Sequence, residues 1–200
     1  MSNLSKSLSK LLRHDIIKLK LEKHFTDDGY LPVDIVMNVH YIKRQHPTLE
    51  SIIYISDNSD KQRFDLKMTD NKYYIRANQG HSTEVSKLLN PDKFLTRIYT
   101  YLNPPENNCI HGTFTENIKS IMEHGLSKMS RGYIHFASSM NAKSGIRKGY
   151  SKPDILIYID MEKAIKDGIE FYVSKNGVIL SPGNQDGIID VRYFKDVVEF

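Results

Sequence analysis

Apolar side chains recur at Leu4, Leu8, Leu11 and Leu12, three and four residues apart, and this spacing predicts an amphipathic helix over residues 3–13. Arg13 and His14 fall at its C-terminal end. Asp28-Gly29 marks a turn. Val33, Ile35, Val36, Val39, Tyr41 and Ile42 predict a second helix that starts near Pro32 and breaks at His46-Pro47. Thr48 is the candidate N-cap of a third helix reaching Ile55. The period then changes. Residues 63–68 and 73–77 alternate as strands do, and Thr69-Asp70-Asn71 between them supplies turn chemistry, so a β-hairpin is expected. Three helices followed by a hairpin is the outline of a winged-helix domain, a fold used for nucleic acids and also for protein partners.

The segment Asn103-Pro104-Pro105-Glu106-Asn107-Asn108 reads as a linker, and a lobe boundary is expected within 90–106. Beyond it, short strands alternate with short helices. Cys109-Ile110-His111 is expected to be a strand ending in Gly112. Thr113-Phe114-Thr115-Glu116 has capping-box spacing. Ile118, Ile121 and Met122 then form a helical stripe that stops at Gly125. Residues 133–137 and 154–159 read as strands, and Asp160 as the cap of a helix ending at Asp167-Gly168. Phe171-Tyr172-Val173 and Val178-Ile179-Leu180 flank Lys175-Asn176-Gly177, a hairpin signal. This half is expected to be α+β.

Composition narrows the class. The chain is 40% hydrophobic and 26% charged. It has no apolar run long enough for a membrane-spanning helix, and its N-terminus lacks the apolar stretch of a signal peptide. The single cysteine, Cys109, cannot form an internal disulfide and suits a reducing, cytoplasmic setting. The net charge is +4, and all the excess lies in residues 1–100, with sixteen Lys and Arg against twelve Asp and Glu; residues 101–200 hold twelve of each. A basic half beside a neutral one fits a polyanion-binding lobe joined to something else.

Taken singly, the polar motifs have ordinary explanations. Arg13-His14 complements the C-terminal end of a helix. Arg63 and Arg76 could be solvated strand residues, His111 a strand-end histidine, and Asn176-Gly177 simply a turn. No cysteine pair or carboxylate–histidine motif accompanies the eight histidines, so no metal site is expected. His24, His40, His46 and His124 are expected to be surface or core residues without a chemical role. No glycine-rich phosphate loop is present. Adjacent side chains of an extended segment point to opposite faces, and on that ground Cys109 and His111 are not expected to form a nucleophile pair.

Together and in order, a longer set of strings carries more weight. These are Leu12-Arg13-His14, Lys61-Gln62-Arg63-Phe64, Arg76-Ala77-Asn78-Gln79-Gly80-His81-Ser82, His111-Gly112-Thr113, Arg131-Gly132-Tyr133-Ile134-His135-Phe136-Ala137 and Asn176-Gly177-Val178-Ile179-Leu180. They resemble the RNA 2′-phosphotransferase family, relatives of the NAD-using ADP-ribosyltransferases, from about Leu4 to Val198. The resemblance implies an α+β protein with an N-terminal winged-helix RNA lobe over 1–95. A C-terminal ADP-ribosyltransferase-like split β-sandwich lobe over 106–200 follows, with the active site in the cleft between them. It implies a catalytic quartet of Arg13, His14, Arg63 and Arg131. It also implies NAD⁺, consumed as co-substrate, held by His111, Gly112, Thr113, His135 and Val178, with no metal. The implied partner is an RNA carrying a 2′-phosphate, and the implied state is a monomer.

Three positions qualify the resemblance. Val178 stands where many ADP-ribosyltransferases carry a catalytic glutamate. Tyr133 stands where many family members have histidine, with little effect expected if it faces away from the nucleotide. Arg147 is the second candidate for the fourth arginine, or for the NAD⁺ pyrophosphate or RNA.

The family reaction has two steps. The RNA 2′-phosphate displaces nicotinamide to give an RNA-2′-phospho-ADP-ribose intermediate, and a ribose hydroxyl then releases 2′-hydroxyl RNA and ADP-ribose 1″,2″-cyclic phosphate. A phosphate monoester is already ionised near neutral pH, so the first step needs no general base. The second builds charge on phosphate oxygens, which guanidinium forks match in geometry and charge. Two other readings are open: an ADP-ribosyltransferase acting on terminal phosphates of nucleic acids, and a winged-helix regulator without catalytic turnover.

Overall fold

The computed structural model describes residues 3–59, 61–99, 109–139 and 152–199. The expected linker at 103–108 and the alternative arginine, Arg147, lie outside the described residues. By its contacts the chain divides into two compact units, Met1–Phe94 and Leu95–Phe200. Sheets in both units are small and antiparallel, so the protein is mixed α and β.

In the first unit, α1 (Asn3–Lys10) does not run on as a regular helix to residue 13. It passes into a π-helical turn, Leu11–Asp15, that contains both Arg13 and His14. Leu8, Leu11, Leu12 and Ile16 are all fully buried, whereas Arg13 is half-buried and His14 exposed. The wider turn therefore keeps the leucine face inward while the basic pair leaves it, in a geometry that recurs at functional sites. Asp15, on the same turn, is buried and accepts a 2.9 Å hydrogen bond from the Tyr41 hydroxyl.

The second expected helix is two helices. After β1 (Leu31–Pro32) come α2 (Val33–Asn38) and α3 (His40–Lys43), separated by Val39 in an extended conformation. A β-branched residue adopts that backbone readily, and the break lets Val36, Val39 and Ile42 all bury. Thr48 caps α4 (Leu49–Asp57) in a reciprocal capping box with Ser51. The hairpin is as expected: β2 (Phe64–Thr69) pairs with β3 (Lys72–Ala77), with Asp70 and Asn71 at positive φ in the turn. β1 adds to the other side of β3, giving the order β1-β3-β2. Arg76 is not solvated. It is 9% exposed and pairs with Asp65 at 3.3 Å, while the Tyr30 hydroxyl donates to the same carboxylate at 2.6 Å. Two short helices, α5 (Thr83–Ser86) and α6 (Pro91–Phe94), finish the unit.

The second unit has a four-stranded sheet in which β4 (Thr96–Arg97), β9 (Tyr172–Val173), β10 (Ile179–Ser181) and β7 (Ile134–Phe136) are neighbours in that order. A three-stranded sheet orders β12 (Phe194–Glu199), β8 (Ile155–Ile159) and β5 (Cys109–Thr113). β6 (Leu126–Ser127) pairs with β11 (Ile188–Ile189). An isolated bridge joins Ile110 of β5 to Ala137, just past β7, and so links the two larger sheets. Asp160 caps α8 (Met161–Lys166), as expected.

Two expectations fail here. The box at 113–116 does not form: α7 (Thr115–His124) has Phe114 at its N-cap position, with no side-chain cap there. The Asp154 carboxylate accepts instead from the Thr115 N–H at 2.9 Å and its hydroxyl at 2.8 Å. Residue 113 is committed to β5, so the cap is a tertiary contact. Cys109 and His111 are two residues apart in β5 and share a face, not opposite faces. Burial is what separates them chemically: Cys109 is 3% exposed, and desolvation pushes its thiol pKa well up, which disfavours the thiolate.

Candidate active site

In the second unit, a cleft of about 530 Å³ is lined by residues of β5, β7 and α7. His111 and Thr113 of β5, His135 of β7, and Arg131 and Tyr133 before β7 all line it. One side of α7, at Asn117, Ser120, Ile121 and His124, forms another wall. Among the described residues that line it there is no carboxylate; they include Lys128, Arg131 and three histidines. Such a lining favours an anionic ligand.

The sequence places the histidine ring through β5. His111 Nδ1 lies 3.1 Å from the main-chain oxygen of His135. A carbonyl oxygen only accepts, so Nδ1 carries the hydrogen and Nε2 of the neutral ring is an acceptor. Burial lowers the His111 pKa, and the nearby Arg131 charge lowers it further, against the hydrogen bond to His135. The ring is therefore held neutral, with one tautomer fixed.

Arg131 and Lys128 stand at the two ends of one tight turn, closed by a 3.1 Å bond from the Arg131 N–H to the Lys128 oxygen. Met129 inside it has φ +55°. The stem of Lys128 lies against Gly187, where an added Cβ would come within 2.5 Å of Cε. Tyr133 does not face away: it lines the cleft, its ring edge-on to Tyr172 at 6.1 Å. Desolvation raises its hydroxyl pKa and Glu170 adds to the effect. His124, expected to lack a role, is exposed on the cleft wall. Gly112 and Val178 are not among the lining residues. Val178 is fully buried just before β10, its N–H donating to Ser174 Oγ at 3.2 Å and its oxygen accepting from the Ser174 N–H at 3.0 Å.

The other expected site residues belong to the first unit, where one segment serves both arginines. The Ser82 N–H donates to the Arg13 oxygen at 2.9 Å. Gly80 has φ +88°, and a Cβ there would sit 3.3 Å from the Arg13 guanidinium carbon. The Asn78 N–H donates to the Arg63 oxygen at 2.9 Å, and the Arg63 guanidinium donates to Ser59 Oγ at 2.9 Å. Residues 78–82 thus hold Arg13 and Arg63 together. The string was visible in the sequence, but nothing in it assigned these contacts. The sequence signal for them was the positive-φ demand that Gly80 meets.

The sequence matches the RNA 2′-phosphotransferase, Tpt1 / KptA family over residues 1–183. The chain belongs to this family. Among RNA 2′-phosphotransferase relatives, human tRNA 2′-phosphotransferase 1 is 37% identical over 199 residues, covering 98% of this chain and 75% of the human protein. The tRNA 2′-phosphotransferase of Saccharomyces cerevisiae is 32% identical over 182 residues, covering 89% of this chain and 77% of its own length. A Schizosaccharomyces pombe relative is 37% identical over 194 residues, 96% of this chain but 50% of its own length. For a member of the RNA 2′-phosphotransferase family, the described residues contain no group of three or more His, Cys, Asp and Glu arranged to hold a metal ion, and no described helix is long and apolar enough to cross a membrane.

Proposed function

We propose that this protein removes an internal 2′-phosphate from RNA, such as a tRNA splice junction, at the expense of NAD⁺. Membership of the RNA 2′-phosphotransferase family supports the reaction, and the cleft, with no carboxylate among its described lining residues and with its tautomer-locked His111, is the observation that carries the assignment of parts. In this reading residues 1–95 are a winged-helix RNA lobe. Helices followed by a hairpin with a third strand beside it support that. Residues 106–200 are an ADP-ribosyltransferase-like split sandwich, supported by two sheets that touch at Ile110 and Ala137.

The residues present fit NAD⁺. Its volume class matches a cleft of about 530 Å³, and its diphosphate suits a wall bearing Lys128. His111 and His135 line the cleft and would hold NAD⁺, the His111 Nε2 as an acceptor for a ribose hydroxyl and His135 on the nicotinamide side. Thr113, which lines the cleft, would lie on the ribose side. Bound NAD⁺ supplies an electrophilic ribose carbon with nicotinamide as its leaving group.

Arg13 and Arg63 clamp the RNA phosphate, His14 protonates or hydrogen-bonds the departing RNA oxygen, and Arg131 stabilises charge on the phosphate oxygens. The described residues that line the cleft place no carboxylate beside the incoming dianion, and Val178 is buried outside that lining. At about 4 Å and an effective dielectric near 20, a pair of like charges would repel by roughly 4 kcal/mol.

The test is an oligonucleotide bearing an internal 2′-phosphate, incubated with and without NAD⁺. A 2′-hydroxyl product that needs NAD⁺, with nicotinamide released, is expected. An ADP-ribosylated product from a 5′-phosphorylated oligonucleotide instead would assign the protein to terminal-phosphate transfer. No nicotinamide release with either RNA would make it a binding protein.

A further inference from the structure

We infer that Asn78 is the positioning residue that aims Arg63 at its phosphate; this rests on the reading that Arg63 takes the RNA 2′-phosphate. Asn78 is 4% exposed. Its side-chain amide donates to the Gln62 oxygen at 2.7 Å and to the Phe64 oxygen at 3.3 Å. Its own backbone N–H donates to the Arg63 oxygen at 2.9 Å. One residue thereby holds three consecutive carbonyls, with Arg63 in the middle.

The place in the fold explains why a clamp is needed. The β2–β3 ladder stops at the Phe64–Ala77 pair, so Arg63 lies just beyond the last rung and Asn78 just beyond it on the partner strand. Gln62, on the other side of Arg63, has φ +42°, a region that residues with a Cβ rarely occupy. The bond from Asn78 to the Gln62 oxygen opposes relaxation out of it. With the main chain fixed at both flanks, the Arg63 side chain leaves from a defined point and reaches Ser59. Two residues further on, Gly80 packs against the Arg13 guanidinium and Ser82 holds the Arg13 oxygen. A shift at Asn78 therefore reaches both arginines, and phosphate transfer tolerates little misplacement.

The clamp and a merely structural asparagine are separated by a double-mutant cycle. Single-turnover rates on a 2′-phosphorylated oligonucleotide, with saturating NAD⁺, are measured for Asn78→Ser, Arg63→Ala and the double variant, each with its melting temperature. Asn78→Ser is expected to slow turnover about ten- to a hundredfold, to raise the KM for RNA, and to leave the KM for NAD⁺ unchanged. In the Arg63→Ala background the same change should cost almost nothing further. Adding Gln62→Gly to Asn78→Ser should restore part of the rate, because glycine accepts positive φ without strain.

Equal slowing of the wild type and of Arg63→Ala by Asn78→Ser overturns the inference, as does a lower melting temperature with an unchanged rate. Should serine leave the chain unfolded, Asn78→Asp, of nearly the same volume but without the donors, is read by the same criteria. A wild type inactive on the 2′-phosphate removes the proposed function instead, whereas an Arg63→Ala variant as fast as wild type leaves that function standing and overturns the role of Arg63 and the inference with it.

Discussion

His111, which lines the cleft, donates its Nδ1 hydrogen to the main-chain oxygen of His135, 3.1 Å away, and so leaves Nε2 of the neutral ring as an acceptor. The bond ties β5 to β7 beside the Ile110–Ala137 bridge. It also makes the ring's protonation state decisive, because a proton on Nε2 would turn the acceptor into a donor.

The pH dependence follows from the direction of the shift. Burial, with help from Arg131, lowers the His111 pKa below the ordinary 6.5. The neutral ring is favoured in the folded protein, so between the lowered value and 6.5 the unfolded chain binds more protons. The stability linked to His111 is full above 6.5 and falls as the pH drops toward the lowered value. The KM for NAD⁺ should rise at lower pH still, as the ring of the folded protein takes up its proton around and below the lowered value. His111→Ala should flatten both profiles; unchanged acid limbs in that variant, read by denaturant titration and by initial rates, would remove His111 from the site.

Arg131→Ala should slow turnover by about 10²–10³-fold, the usual loss on removing one preorganised donor to developing charge. Since the first step needs only an ionised phosphate and a leaving nicotinamide, the second step should suffer more. RNA joined to ADP-ribose through its 2′-phosphate should then accumulate, visible as a slower band on a denaturing gel. Arg13→Ala should behave likewise. Full-speed product release in either variant contradicts these roles.

Lys128→Met keeps the stem that lies on Gly187 and deletes the charge. A charge-assisted hydrogen bond contributes about 1.5–3 kcal/mol, so the KM for NAD⁺ should rise roughly tenfold or more while kcat changes little. A variant that weakens RNA binding and leaves NAD⁺ untouched would move Lys128 to the RNA side.

Arg76→Met tests the buried ion pair of the hairpin. Arg76 and Asp65 are each 9% exposed. Removing one partner strands the other charge and should destabilise the protein by about 3–5 kcal/mol. Arg76→Met combined with Asp65→Leu should recover much of the loss. Equal destabilisation by the single and double variants in urea titrations would show that the pair contributes packing alone.

Much of the architecture was present in local pattern. The leucine spacing of α1, the Thr48 cap, the Asp70-Asn71 turn and the β9–β10 hairpin all depend on near neighbours, and near neighbours are what a sequence displays. The family strings did the same for the candidate site, since they mark residue types and their order without needing the fold.

Tertiary structure decided what depends on residues far apart in the chain. Thr113 looked like a cap but was taken into β5, and Asp154 capped α7 in its place. Arg76 looked like a solvated strand residue until Asp65 and Tyr30 closed over it. The tautomer of His111 depends on a carbonyl twenty-four residues away, and the setting of Arg13 and Arg63 depends on residues 78–82. Hydrogen-bond partners and burial are properties of packed neighbours, and a linear pattern fixes which groups are available without fixing which of them meet.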